Sequence, residues 1–114
     1  MKYVGISDKV LNDWLKDKDY IGCSDEGEAI AICAGAWLAK GERWTAFMSA
    51  DGLCNALNFL TSYVIPEGIE MNLVISTGRQ EPPHKVMSDI LDDLLKLLKY
   101  DPAKIAVNVI RKES

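Results

Sequence analysis

Ile21-Gly22-Cys23-Ser24-Asp25-Glu26-Gly27-Glu28-Ala29-Ile30-Ala31-Ile32-Cys33-Ala34-Gly35-Ala36-Trp37-Leu38-Ala39 is the stretch from which the rest of the chain is read. It reads as the end of a buried strand, an acidic turn, and a helix that is apolar on almost every side. Such a helix belongs in an interior or at an interface. The turn sets Asp25, Glu26 and Glu28 at the start of the helix, where carboxylates are favoured by the helix dipole alone. The same three groups stand beside apolar neighbours that leave little water for a charge, which is also how functional carboxylates are found. The pattern is compatible with both readings.

Working outward, the chain alternates short apolar runs with helical patterns. Met1 to Ile6 predicts a first strand, followed by a turn with Ser7 as N-cap and a helix whose inward stripe is Val10, Leu11, Trp14 and Leu15. Tyr20 to Ser24 predicts the second strand, and Lys40-Gly41 ends the long helix that follows the acidic turn. Trp44 to Met48 predicts a third strand. After it, Ser49-Ala50-Asp51-Gly52-Leu53-Cys54-Asn55 opens a helix through Ala56, Leu57, Leu60 and Tyr63. A small-residue turn there suits a polar ligand through its backbone N–H groups, although Asp-Gly is also an ordinary turn.

Met71 to Ser76 predicts the fourth strand. Lys85 to Lys99 follows as a helix with Val86, Met87, Ile90, Leu91, Leu94, Leu95 and Leu98 on one side, stopped at Tyr100-Asp101-Pro102. His84, the single histidine, precedes that helix beside Pro83 and Lys85 and reads as a surface residue. Lys104 to Ile110 closes the chain as a strand rich in branched residues. The pattern calls for one domain over residues 1–114: a three-layer, mostly parallel α/β sheet of about five strands with helices on both faces, flavodoxin-like in type. In such sheets ligands gather at the C-terminal strand ends, where the turns 5–8, 25–28, 48–55 and 77–81 all fall.

Composition narrows the function. Hydrophobic residues make up 48% and charged ones 26%, as in ordinary globular proteins. A formal net charge of −4 with no Lys/Arg cluster excludes a nucleic-acid surface. No apolar run is long enough to span a membrane and the N-terminus has no signal-peptide pattern, so a cytoplasmic location is expected. Cys23, Cys33 and Cys54 are odd in number and lack metal-ligand spacing, which predicts free thiols and no metal site.

The Asp25-Glu26-Gly27-Glu28-Ala29 turn and the small-residue helix containing Ala34-Gly35 resemble the pyrimidine-binding (PYR) domain of thiamine-diphosphate enzymes. The likeness is greatest to the α subunit of sulfopyruvate decarboxylase and the equivalent half of phosphonopyruvate decarboxylase. Their signature is Asn-Glu-Gly-x-Ala; Asp25 replaces its Asn, and Glu26 takes the place of the family's invariant glutamate. Val4-Gly5-Ile6-Ser7-Asp8-Lys9-Val10-Leu11 resembles Val-Gly-Val-Pro-Asp-Ser-Leu-Leu, whose turn faces the substrate, which makes Ser7 and Asp8 candidates as well as helix caps. Met48, Gly52, Leu53 and Asn55 match the loop Met-Gln-Asn-Ser-Gly-Leu-Gly-Asn, whereas Ser49, Ala50, Asp51 and Cys54 depart from it on the substrate side. Ser76-Thr77-Gly78-Arg79-Gln80-Glu81-Pro82 is similar to Ile-Ser-Trp-Arg-Gly-Glu-Pro with the arginine displaced by one, so Arg79 is either a substrate-anion contact or a solvated side chain.

The resemblance implies that Glu26 is the activating acid, with Gly52 and Asn55 beside the cofactor and Ser7, Asp8, Ser49, Asp51 and Arg79 toward a 2-oxo acid substrate. In an apolar pocket, desolvation favours proton sharing by a carboxyl group over plain ionisation. The family holds the diphosphate and Mg²⁺ in a second domain with a Gly-Asp-Gly motif, which these residues lack. The resemblance therefore implies the small subunit of a split thiamine-diphosphate-dependent decarboxylase, or carboligase, sharing its active site with a diphosphate-binding partner in a hetero-oligomer. The alternative from another class is a non-catalytic α/β partner-binding or regulatory module, or a degenerate PYR scaffold.

Overall fold

A computed structural model describes residues 2–112; Met1, Glu113 and Ser114 lie outside the described residues. Five parallel strands form one sheet in the order β2-β1-β3-β4-β5. They are β1 (Tyr3–Gly5), β2 (Tyr20–Gly22), β3 (Thr45–Ser49), β4 (Met71–Thr77) and β5 (Ile105–Arg111). The expected runs were longer at β1 and β2, where pairing stops after three residues. Parallel neighbours require a crossover, and helices supply each one. They are α1 (Asn12–Leu15), α2 (Glu26–Lys40), α3 (Ala50–Leu53) continued by α4 (Leu57–Phe59), and α5 (Lys85–Leu98).

Because side chains alternate across a strand, the sheet has two different faces. On one, Val4, Ala46, Met48, Met71, Leu73, Ile75 and Ile105 pack against α2 (Ala29, Ile30, Cys33), the α3–α4 run and Leu91 of α5. On the other, Phe47 and Val74 meet Leu11 and Leu15, with Tyr3, Trp14 and Ile110 at the margin. Helices do lie on both faces, but unevenly: the second face carries only the four-residue α1. Phe47 is its centre, fully buried with ring contacts to Trp14 and Tyr20 at 6.0 and 5.4 Å. Gly5 is bare because it pairs with Phe47 on the neighbouring β3, whose carbonyl and ring occupy the space a Cβ would need.

Local chemistry explains most of the boundaries. Asp25 caps α2 by accepting from the Gly27 N–H at 2.7 Å, and Gly41 ends it with φ 65°, its N–H returned to Trp37 O at 2.8 Å. The α1 turn is capped by Asp8, not Ser7: Asp8 Oδ1 accepts from Leu11 N at 2.8 Å, and the exposed Ser7 plays no part. The helix expected from Ala56 begins instead at Ala50, directly off β3. It passes through a 3₁₀ turn (Cys54–Ala56) and a π turn (Leu60–Val64). Those turns change the phase of its inner side, so Val64 is buried and its neighbour Tyr63 is exposed.

The stripe of α5 is only partly used. Leu91 is buried, Met87, Leu94, Leu95 and Leu98 are half-buried, and Val86 and Ile90 are exposed because α5 rides over the β4–β5 margin. Helix α2 is likewise not covered all round: Ala31, Gly35, Leu38 and Ala39 face outward.

Candidate active site

The parallel sheet brings the ends of β1 to β4 to one edge, and the four turns selected from sequence all sit there. Glu26 is the first residue of α2, behind the Asp25 cap, and is half-buried. Its Oε1 accepts a hydrogen bond from Asn55 Nδ2 at 2.9 Å. Its carboxylate lies along the backbone of Gly52: a Cβ on Gly52 would stand 2.5 Å from Oε2 and 2.8 Å from Cδ. Gly27 makes a matching approach, since a Cβ there would lie 3.3 Å from Asn55 O. Glu26, Gly52 and Asn55, which the resemblance had grouped, thus form one contact set. No further hydrogen bond to Glu26 Oε2 is made among the described residues.

The other carboxylates of the acidic turn are engaged locally. Asp25 is the cap, and Glu28 Oε1 accepts from Ser24 N at 3.2 Å. Both serve the N–H groups that the first turn of a helix leaves open. Only Glu26 turns away from its own helix start toward a neighbouring element.

Beside this set lies a pair that sequence reasoning set aside. His84 is not a solitary surface residue: its Nδ1 is 2.7 Å from Asp51 Oδ1, and the imidazole side chain is 19% exposed. An ionised carboxylate only accepts, so Nδ1 carries the proton in this contact. Partial burial pushes the Asp51 carboxyl up. The bonds from His84, its own backbone N–H and Ser49 outweigh that and hold it below the ordinary carboxylate range. Ser49 in turn caps α3, its Oγ accepting from Gly52 N at 3.2 Å. The available signal was position: His84 follows β4 on the ligand edge, where a partner from the α3 turn is close in space though 33 residues away.

The remaining candidates are placed apart from Glu26. Asp8 joins the edge internally, its Oδ2 accepting from the buried Ser76 hydroxyl at 2.6 Å while Oδ1 holds Leu11 N. Ser7 is exposed. Arg79 is folded onto Glu81, with Nε and Nη2 at 2.7 and 2.6 Å from the same Oε1. The Glu81 carboxyl is pushed down to about 2 by its own backbone N–H and then by Arg79. Arg79 borders a cavity of about 340 Å³ against α1 and the end of β5, which contains none of Glu26, Gly52, Asn55, Asp51 or His84.

The three cysteines are free. Burial pushes the Cys33 thiol up to about 12, and burial with the nearby Glu28 pushes Cys23 up to about 11. No group of three or more His, Cys, Asp or Glu side chains is placed to share a metal ion among the described residues. No helix among them is long and apolar enough to cross a membrane.

The comparisons with known proteins converge on one name. No family model matches the chain. It is 42% identical over 84 residues to the phosphonopyruvate decarboxylase of Streptomyces viridochromogenes, covering 68% of this chain and 21% of that protein. It is 39% identical over 96 residues to the phosphonopyruvate decarboxylase of Streptomyces hygroscopicus, covering 77% of this chain and 23% of that protein. The chain is therefore a relative of the phosphonopyruvate decarboxylases, and it spans about a fifth of their length.

Proposed function

We propose that this chain is the pyrimidine-binding half of a thiamine-diphosphate-dependent decarboxylase acting on a 2-oxo acid. The observation that carries the reading is the half-buried Glu26 carboxylate, with one oxygen held by Asn55, at the ligand edge of a decarboxylase relative. The residues fit the aminopyrimidine part of the cofactor. Glu26 Oε2 makes no hydrogen bond among the described residues, so it is open to share a proton with a ring nitrogen. When bound, the cofactor supplies the electron sink that lets a 2-oxo acid lose CO2, or lets the product join a second carbonyl compound.

The chain's own residues would then divide the work. Asn55 fixes one Glu26 oxygen and thereby aims the other. Gly52 gives the carboxylate its bed, and Asp25 fixes the helix start on which Glu26 rides. Asp51 and Ser49, with Ser7, Asp8 and Arg79 farther along the edge, would border the substrate. The diphosphate and its Mg²⁺ would be held by a partner subunit carrying a Gly-Asp-Gly motif, giving a hetero-oligomer with a shared site. Three free thiols are in keeping with a cytoplasmic setting.

One observation favours a second reading, a non-catalytic partner-binding or regulatory α/β module, or a degenerate PYR scaffold. Ser49, Asp51 and Asp8 are already engaged inside the chain, leaving little polar chemistry on the substrate side.

The test combines the chain with a Gly-Asp-Gly subunit, thiamine diphosphate and Mg²⁺. Calorimetry reads cofactor binding, and CO2 release is followed from phosphonopyruvate and other 2-oxo acids. Wild type should bind and turn over, while Glu26→Gln should assemble without releasing CO2. Equal turnover by Glu26→Gln would remove Glu26 from its role, and failure of any such subunit to restore binding would leave the module reading.

A further inference from the structure

A cavity lies on the opposite side of the ligand edge from Glu26, between α1 and the end of β5. At about 340 Å³ it falls within the range of small-molecule sites, roughly 300–1,000 Å³. Trp14, Val10 and Ile110 give it apolar walls, and all three are half-buried. Trp14 is fixed there by Tyr3, edge-on at 5.5 Å, and by Phe47 beneath it. A rigid aromatic wall costs little entropy to present to a ligand.

The charge around this cavity opposes that of the whole chain. Lys9, Arg79, Arg111 and Lys112 border it against Asp13 and Glu81, in a protein of net charge −4. Most of these groups are already answered. Arg79 is closed on Glu81, Arg111 on Asp92 through two contacts of 3.0 Å, and Asp13 on Lys16 at 2.8 Å. The Lys9 ammonium makes no ion pair among the described residues, and Lys112 acts on Glu81 only through space. An excess of positive charge therefore faces an apolar-walled hollow.

We infer that this hollow is a binding site for a small organic anion, a carboxylate, phosphate or phosphonate on an apolar body. The anionic group sits between Lys9 and Lys112, and the body packs on Trp14 and Ile110. The site contains none of Glu26, Gly52 or Asn55 and shares only Arg79 with the residues proposed above to border the substrate, so it stands or falls apart from the role given to Glu26.

The probe is phenylphosphonate, titrated into the full 114-residue chain and followed by two-dimensional NMR. Saturable shifts are expected at the Trp14 indole N–H and at the amides of Lys9, Ile110 and Lys112. Binding should weaken with added salt, because exposed charges are screened. The Lys9→Glu/Lys112→Glu double variant should lose about tenfold or more in affinity. Both lysines are exposed, so the fold is expected to stand, and the unchanged spectrum of the central strands verifies this. Glu26→Gln should bind as wild type does, and benzyl alcohol, which lacks the charge, should give no saturable shift. Three results would each overturn the site: no saturable shift with phenylphosphonate, shifts confined to the Glu26–Asn55 neighbourhood, or equal affinity in the double variant.

Discussion

Gly52 lies directly under the carboxylate of Glu26, so close that a methyl group on Gly52 would displace it. Gly52→Ala adds a Cβ in a short helix where alanine is otherwise the better residue, by up to about 1 kcal/mol. Stability in urea should therefore change little or rise slightly. A carboxylate shifted by about 1 Å costs on the order of a hundredfold in an oriented reaction. We expect turnover of the decarboxylase assembly proposed above to fall by about that factor while the melting curve stays near wild type. Loss of stability and activity together would show that Gly52 serves the fold.

The Asp51–His84 contact ties α3 to the start of α5. With a carboxylate one-third exposed, it should contribute only about 1 kcal/mol. A double-mutant cycle of Asp51→Asn and His84→Gln, read by urea unfolding at neutral pH, measures it. The folded Asp51 carboxyl is held below its ordinary value, so its contribution is full above the unfolded Asp value, about 4, and is lost as pH falls through the folded value. A coupling that stayed constant well below that range would contradict the assignment.

Glu81 should titrate near pH 2 when followed by its carboxyl carbon resonance. Arg79→Gln should raise that midpoint without restoring the ordinary 4.5, because the backbone N–H remains the larger influence. Acid should weaken the Arg79 loop between those two values. No movement of the midpoint in the variant would mean that the pair does not form in solution.

Thr77 Oγ1 is a buried hydroxyl without a hydrogen-bond partner among the described residues, at the end of β4. An unmade hydrogen bond in the interior costs about 1–3 kcal/mol, and valine keeps the branched shape that a strand prefers. Thr77→Val should raise the unfolding free energy by roughly 1 kcal/mol. Destabilisation would instead reveal a water or ligand group held by that hydroxyl.

The parallel sheet, and the edge on which the four turns gather, were legible because apolar runs and helical stripes alternate so regularly that only a parallel sheet accommodates them. The grouping of Glu26, Gly52 and Asn55 was legible through resemblance, not through periodicity. What escaped depended on tertiary distance. Asp8 and Ser7 are equally good caps on paper, and Asp8 prevails because its second oxygen also meets Ser76 across the sheet edge. His84 could be paired only once α3 and α5 were side by side. The burial of Val64 rather than Tyr63 was not legible because 3₁₀ and π turns are not encoded in a 3.6-residue stripe. Gly5 carried no signal of its own in sequence, because the constraint on it comes from Phe47 on the next strand.

The strand that leads into Glu26 is also the least secured one. Tyr20–Gly22 is three residues long, exposed throughout, and joined to a single neighbour at the sheet's rim. Its amides should exchange with solvent by local fraying, at far lower free energy than those of β3 and β4. Helix α2 is anchored independently by Ala29, Ile30 and Cys33, so fraying would stop within a few residues of Glu26 and leave the carboxylate on its glycine. The border between a yielding rim and a rigid interior thus runs through the acidic turn itself. The chain leading to Glu26 can loosen there without carrying its carboxylate away.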